Sequence, residues 1–210
     1  MKERLKKAGK EIYFYRQDMK PIWRFCAVML AMFILFTAVH LNWQGGLGGK
    51  SKPLTDVTTF QTLSLSTLDG DTFTSEDLSA YDVIIVDIWA TWCFHCVEEM
   101  PNAAKFSDSL GLAFPENKVL YIGVCTDLVD DNDVLKQELY QTAKDISLKA
   151  NVHYPQLIAD KAFNDDFTRH YAQALPTVFY LDGQGNILHS TGALSETGYV
   201  MKVRNLLNAQ

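Results

Sequence analysis

The stretch Val83-Ile-Ile-Val-Asp-Ile-Trp-Ala-Thr-Trp-Cys-Phe-His-Cys96 decides how this chain folds. Its first half is an almost continuous apolar run, the pattern of a strand buried on both faces. Its second half carries two cysteines three residues apart. Such a pair closes a small disulfide ring and opens it again by attack of a thiolate on a partner's disulfide. Where the pair leaves a strand and opens a helix, the helix N-terminus stabilises negative charge. That lowers the pKa of the first cysteine and yields thiolate at neutral pH.

Outward from this stretch, strands and helices alternate. Tyr81 to Trp89 reads as the first buried strand and Phe94 to Leu110 as a helix that Pro101 should kink. Lys118 to Cys125 is a second buried strand, Asp131 to Ala150 a long helix and Tyr154 to Ala159 a short strand. Ala162 to Tyr171 reads as a further helix. Thr177–Leu181 and Ile187–Thr191 form a hairpin around Asp182-Gly-Gln-Gly185, and Ser195 to Leu207 closes the chain as a helix. Upstream, Thr58 to Thr67 is strand-like, Asp69-Gly70 signals a hairpin turn and Thr72-Phe-Thr74 returns. Thr74 or Ser75 caps a short helix through Leu78. This order specifies an α/β fold with a largely parallel sheet that ends in an antiparallel hairpin and a helix.

Charge divides the chain in two. Residues 1–24 hold eight Lys or Arg against three acidic side chains, whereas the remainder holds 11 basic and 22 acidic ones. An acidic body argues against nucleic acid as a ligand. The basic segment 1–20 is followed by an apolar run from Pro21 to Trp43. That run reaches the roughly 20 residues needed to cross a hydrocarbon core of about 30 Å, and Trp23 and Trp43 bracket it. The positive-inside rule puts 1–20 in the cytoplasm, 21–43 in the cytoplasmic membrane as an uncleaved signal anchor, and the rest outside. A cleaved signal peptide is the alternative, but its n-region is long and no small-x-small cleavage site follows. Residues 44–56, with Gly45-Gly-Leu-Gly-Gly49, read as a flexible linker. The folded domain is expected over 57–210, in an extracytoplasmic (periplasmic) compartment where disulfides persist unless reduced.

Trp89-Ala-Thr-Trp-Cys-Phe-His-Cys-Val-Glu-Glu-Met-Pro101 resembles the W-A-T-W-C-x-x-C-x-E-E-M-P signature of the TlpA/ResA-like family. Leu68-Asp-Gly-Asp-Thr-Phe73 resembles that family's N-terminal hairpin, and Ala174-Leu-Pro-Thr-Val-Phe-Tyr-Leu-Asp-Gly-Gln-Gly-Asn-Ile187 its cis-proline segment. The resemblance covers roughly residues 60 to 208. It implies a thioredoxin-like fold with an added N-terminal β-hairpin, preceded by one transmembrane helix. It also implies an extracytoplasmic thiol-disulfide oxidoreductase with no cofactor beyond the Cys93–Cys96 pair, acting on protein thiols or disulfides. A membrane thiol relay or another redox partner would supply or remove the electrons.

The same resemblance assigns roles. Cys93 attacks and Cys96 resolves. Phe94 and His95 tune the couple, the imidazole lying near the Cys93 thiolate or donating to it. Stabilising the reduced form in this way makes a couple more oxidising. Asp87 resembles the buried aspartate by which thioredoxins take the proton of the resolving cysteine, where many TlpA-like proteins have Asn. Glu99 is placed near the thiols, Trp92 in the partner groove and Trp89 in the core. Leu175 and Pro176 carry a cis bond whose backbone pairs with an extended substrate segment.

Three other readings compete with these. A zinc site lacks a second cysteine pair. A copper-binding metallochaperone on the same fold wants cysteines one residue farther apart and a His beside the cis-proline, where only His170 and His189 are near in sequence. A peroxidase wants a proline upstream of its cysteine, and residues 86–93 have none. Cys26 lies in the apolar run, and Cys125 reads as a buried thiol at the active-site edge of the sheet.

Overall fold

The computed structural model describes residues 57–209, together with 29, 30, 32 and 33. The chain divides into two units, 1–51 and 52–210. In the first, the four described residues are helical and expose Met29, Leu30, Met32 and Phe33. The expected segment 1–20, the remainder of the expected span 21–43 and the whole of the linker 44–56 lie outside the described residues. Among the described residues, no helix is long and apolar enough to cross a membrane.

In the second unit, five strands form one sheet in the order β5-β4-β3-β6-β7. They are β3 (Val83–Trp89), β4 (Val119–Cys125), β5 (Gln156–Ile158), β6 (Thr177–Leu181) and β7 (Ile187–Thr191). β3, β4 and β5 run parallel, while β6 pairs antiparallel to β3 and β7 antiparallel to β6. Every residue of β3 is buried, as its unbroken apolar sequence requires of a central strand covered on both sides. The helices are α1 (Ser75–Leu78), α2 (Phe94–Ala113), α3 (Gln137–Lys149), the single turns α4 (Lys161–Phe163) and α5 (Arg169–Tyr171), and α6 (Glu196–Leu207).

Alternation along β3 sends its side chains to two cores. Ile84, Val86 and Ile88 meet Phe60, Phe163, Phe167 and Phe179. The rings of Phe60 and Phe167 meet edge to face at 4.8 Å, a geometry worth about 0.5–1.5 kcal/mol for the pair beyond the burial of its area. Val83 and Ile85 face α2 and α6 through Ala103, Ala104, Phe106, Tyr199 and Val203. At the C-terminal end of β3, Trp89 packs with Cys93, Cys96, Met100, Cys125 and Ala143.

The N-terminal hairpin is present as β1 (Ser64–Ser66) paired antiparallel to β2 (Thr72–Thr74). It docks on the main sheet by the bridge Thr67–Leu157 and the bond from Leu68 N–H to the Gln156 carbonyl. The expected strand Thr58–Thr67 is shorter than its composition suggests. Thr59–Thr62 is a 3-10 turn, because Val57, Phe60 and Leu63 recur every third residue and all three are buried. The expected helix Asp131–Ala150 begins only at Gln137. The Asp130 carboxylate accepts the N–H groups of Asn132 and Val134 and closes a turn there, with Asp133 at φ 63°. The expected helix Ala162–Tyr171 is interrupted by a π turn over Asn164–Thr168. Conversely, α2 runs through Pro101 and ends at Ala113, beyond the expected Leu110. The β6–β7 turn requires Gly185, at φ 80°, since a Cβ there would sit 2.8 Å from the backbone of Phe60.

Candidate active site

Cys93 is the N-cap of α2, and Cys96 lies one turn inside it. Their sulfurs are joined at 2.04 Å. The Cys96 N–H donates to Cys93 Sγ at 3.2 Å, so the first turn of a 20-residue helix is aimed at the leading sulfur. On reduction the same donor and helix terminus favour a thiolate at Cys93. Both cysteines are buried, while the flanking Trp92 and Phe94 are exposed. The Leu175–Pro176 bond is cis, and Leu175 packs against the cluster that holds both sulfurs.

His95 stands in solvent with Nδ1 3.7 Å from Glu98, and its ring meets Phe94 edge to face at 5.6 Å. The imidazole therefore has a carboxylate neighbour on its own helix. Glu99 is half-buried and accepts from Asn102 Nδ2 at 3.2 Å.

Asp87 shares one face of β3 with Trp89 and is buried. Its Oδ2 accepts from the Tyr121 hydroxyl at 3.3 Å. Burial pushes this carboxyl up to about 7, with the Tyr121 bond holding it lower than burial alone would. Tyr121 in turn lies 3.4 Å from the Tyr199 hydroxyl. Burial and the Asp87 charge push the Tyr121, Tyr154 and Tyr199 hydroxyls up, so they stay protonated near Asp87. A carboxyl that is half protonated near neutrality suits the transfer of a proton to or from a thiol.

Cys125 is a buried free thiol at the end of β4, opposite Trp89 in the register. Burial first, then the adjacent Asp127 carboxylate, pushes it well above its ordinary value. It is a hydrogen-bond donor to Asp127 Oδ1 at 3.2 Å rather than a nucleophile. His170 lines a separate cavity of about 610 Å³ with Asp160, Asp166 and Tyr171, and His189 lies on β7.

Sequence reasoning missed Tyr121, Thr91, Asp127 and Gln156. Gln156 is buried on β5, and its Oε1 takes the Trp89 indole N–H at 2.8 Å. A polar residue inside a short apolar strand was the available signal. Tyr121 carried none, because a tyrosine in a buried strand reads as packing.

The thioredoxin-like protein YneN of Bacillus subtilis is 26% identical over 124 residues, which span 59% of this chain and 64% of that protein. The match thus covers less than two thirds of that relative. A thiol:disulfide interchange protein of the thioredoxin family from Chlorobium tepidum has a TM-score of 0.53 at 23% identity, over 70% of this chain and 93% of that one. A secreted Mycobacterium tuberculosis disulfide oxidoreductase homologous to E. coli DsbE has a TM-score of 0.50 at 17% identity, over 73% of this chain and all of that one. These structures share the thioredoxin-like α/β fold. Residues 57–190 match the model of the AhpC/TSA family, a stretch that takes in the hairpin, both cysteines and the cis-proline; this chain belongs to the AhpC/TSA family.

Proposed function

We propose that this chain is a thiol-disulfide oxidoreductase of the TlpA/ResA-like kind, acting on protein thiols or disulfides outside the cytoplasm. The observation that carries the reading is the Cys93–Cys96 disulfide at the N-terminus of α2, packed beside the cis Leu175–Pro176 bond. The redox group is the cysteine pair itself.

In the reducing direction, the Cys93 thiolate attacks one sulfur of a substrate disulfide and expels the other as a thiolate. Cys96 then gives its proton to Asp87 and attacks Cys93 Sγ. The Cys93–Cys96 bond closes, the substrate's second sulfur leaves, and two electrons have passed from the pair to the substrate. The oxidising direction is the reverse. Phe94 and His95 tune the couple in this account, Glu99 lies near the thiols, and Trp92, Leu175 and Pro176 receive the substrate backbone.

The apolar run 21–43 and the basic segment before it support a single-pass anchor, with 1–20 in the cytoplasm and the domain 57–210 in the periplasm. A membrane thiol relay, or another redox partner, completes the electron path.

The test is equilibration of the full chain with glutathione or dithiothreitol. A potential near about −270 mV assigns a reductase and one near about −120 mV an oxidase. Failure of Cys93–Cys96 to exchange with either couple would sink the reading. Trapping with Cys96→Ala should then hold the protein substrate as a mixed disulfide on Cys93. Stoichiometric copper binding by the reduced pair, without exchange, would instead support the metallochaperone reading.

A further inference from the structure

The turn that presents Cys93 is held by residues remote in sequence. Cys93 N–H closes this turn on the Ala90 carbonyl at 3.0 Å. Thr91, inside it, gives its N–H to both oxygens of Asp127 at 3.1 and 3.2 Å and its hydroxyl to Oδ2 at 2.5 Å. The Cys125 thiol donates to Oδ1 of the same carboxylate. Next to it, Thr126 gives its N–H and hydroxyl to the Trp89 carbonyl at 3.0 and 3.1 Å, and Asn164 Nδ2 holds the Thr126 carbonyl at 3.0 Å. The Asp127 carbonyl takes Lys136 Nζ at 3.2 Å. Both ends of the tie are thus fixed to regular structure, one on β3 and the other on β4.

Hydrogen bonds to an ionised carboxylate are shorter and about twice as strong as neutral ones. Thr91 is two residues from Cys93. The conformation of its turn therefore sets where Cys93 Sγ stands relative to the Cys96 N–H that it accepts. A misplacement of about 1 Å at a reacting group costs on the order of 100-fold in rate.

We propose that Asp127 is a positioning residue for the redox pair: its carboxylate fixes Thr91 and, through it, holds Cys93 against the first turn of α2. Cys125 belongs to the same device. Its thiol is a donor to the carboxylate, which gives the free cysteine packed beside the redox disulfide a structural role. This inference rests on the oxidoreductase reading.

The experiment measures attack of the reduced full chain on a small aromatic disulfide as a function of pH, with wild type first. Wild type that fails to react overturns the oxidoreductase reading itself. Given a reactive wild type, Asp127→Ala should lower the rate at neutral pH about 10- to 100-fold. It should also move the midpoint of the pH–rate profile upward, because Cys93 no longer meets the helix terminus correctly. Asp127→Asn keeps an oxygen for Thr91 and should recover most of the rate, with its midpoint at or below that of wild type, since an anion near the thiolate has been removed. Thr91→Val deletes only the hydroxyl bond and should lie between wild type and Asp127→Ala; it decides the matter if Asp127→Ala does not fold. Variants that melt earlier but keep the wild-type rate and midpoint overturn the proposal. Equal loss in Asp127→Ala and Asp127→Asn also overturns it, in favour of a charge effect.

Discussion

The Tyr121 hydroxyl donates to Oδ2 of Asp87 at 3.3 Å, whereas Oδ1 of the same carboxylate has no hydrogen-bond partner among the described residues. A buried carboxylate served on one side only is poorly compensated for its lost hydration. Its pKa of about 7 expresses that deficit. The folded-state value lies above the ordinary 3.8, so the native state binds the proton more tightly than the unfolded chain. Stability from this group is full below about pH 4, falls as pH rises towards 7, and is then flat. The loss is about 4 kcal/mol, because each tenfold gain in proton affinity is worth about 1.4 kcal/mol. Asp87→Asn should remove this slope. Urea unfolding should find the variant clearly more stable than wild type at pH 8 and similar to it at pH 4. A variant no more stable at pH 8 would mean that burial does not raise the Asp87 carboxyl above its ordinary value.

The same substitution separates stability from chemistry. Asp87→Asn keeps the shape of the side chain but cannot accept the Cys96 proton. Attack by Cys93 should be unchanged, while release of the mixed disulfide slows at least about 100-fold. Stopped-flow mixing with a disulfide peptide resolves the two phases. Tyr121→Phe removes the bond that lowers the Asp87 value, and should shift the pH dependence of the release phase upward.

Gly123 on β4 leaves no room for a methyl group: a Cβ there would stand 2.4 Å from Gln156 Oε1 and 2.5 Å from Nε2. The end of a glutamine normally swings aside, but here Oε1 is held by the Trp89 indole in a buried site. Gly123→Ala should therefore break the Trp89–Gln156 bond and overpack the sheet beside the redox pair, costing about 1–3 kcal/mol. Thermal unfolding and quenching of Trp89 fluorescence would report it. A melting temperature equal to wild type would show that Gln156 relaxes freely.

The central strand, the cysteine turn and the hairpin were legible in the sequence because each depends on local pattern. The apolar run 83–89 permits only a covered strand, Cys93-Phe-His-Cys96 opens a helix, and Asp182-Gly-Gln-Gly185 closes a turn. What sequence alone did not reveal depends on contacts across the chain. Asp130 captured two N–H groups and delayed α3 by six residues against the expected Asp131 start. The ties Asp127–Thr91 and Tyr121–Asp87 join positions 36 and 34 residues apart. No periodicity in either segment marks which partner the other will meet.

His95 occupies the second position of α2, where a backbone N–H has no partner within the helix. Proline is therefore tolerated there, and His95→Pro isolates the imidazole's effect. Without a group able to stabilise the thiolate, the Cys93 pKa should rise and the couple become more reducing. A tenfold change in the exchange constant corresponds to about 30 mV, and a shift of at least that size is expected. Redox titration against glutathione measures it. Equal potentials in both proteins would leave His95 as a solvated residue paired with Glu98.

Trp92 and Phe94 are 72% and 71% exposed on either side of a Cys93 that is 5% exposed. Two large aromatic faces in water are a loss in the free protein, and contact with an apolar substrate segment recovers it. Truncating such a residue at the centre of a contact costs about 2 kcal/mol or more in favourable cases, a factor of at least ten in affinity. Trp92→Ala and Phe94→Ala should each raise KM for a protein disulfide by about tenfold. Trp92→Ala should react with dithiothreitol at the wild-type rate, because a small dithiol reaches the sulfurs without touching the indole, whereas Phe94→Ala, which also removes a tuning side chain, should change that rate. A parallel loss with both reactants in Trp92→Ala would place Trp92 in control of the cysteines rather than in recognition. A loss confined to the protein substrate makes Trp92 part of the surface that receives the substrate beside the cis Leu175–Pro176 bond.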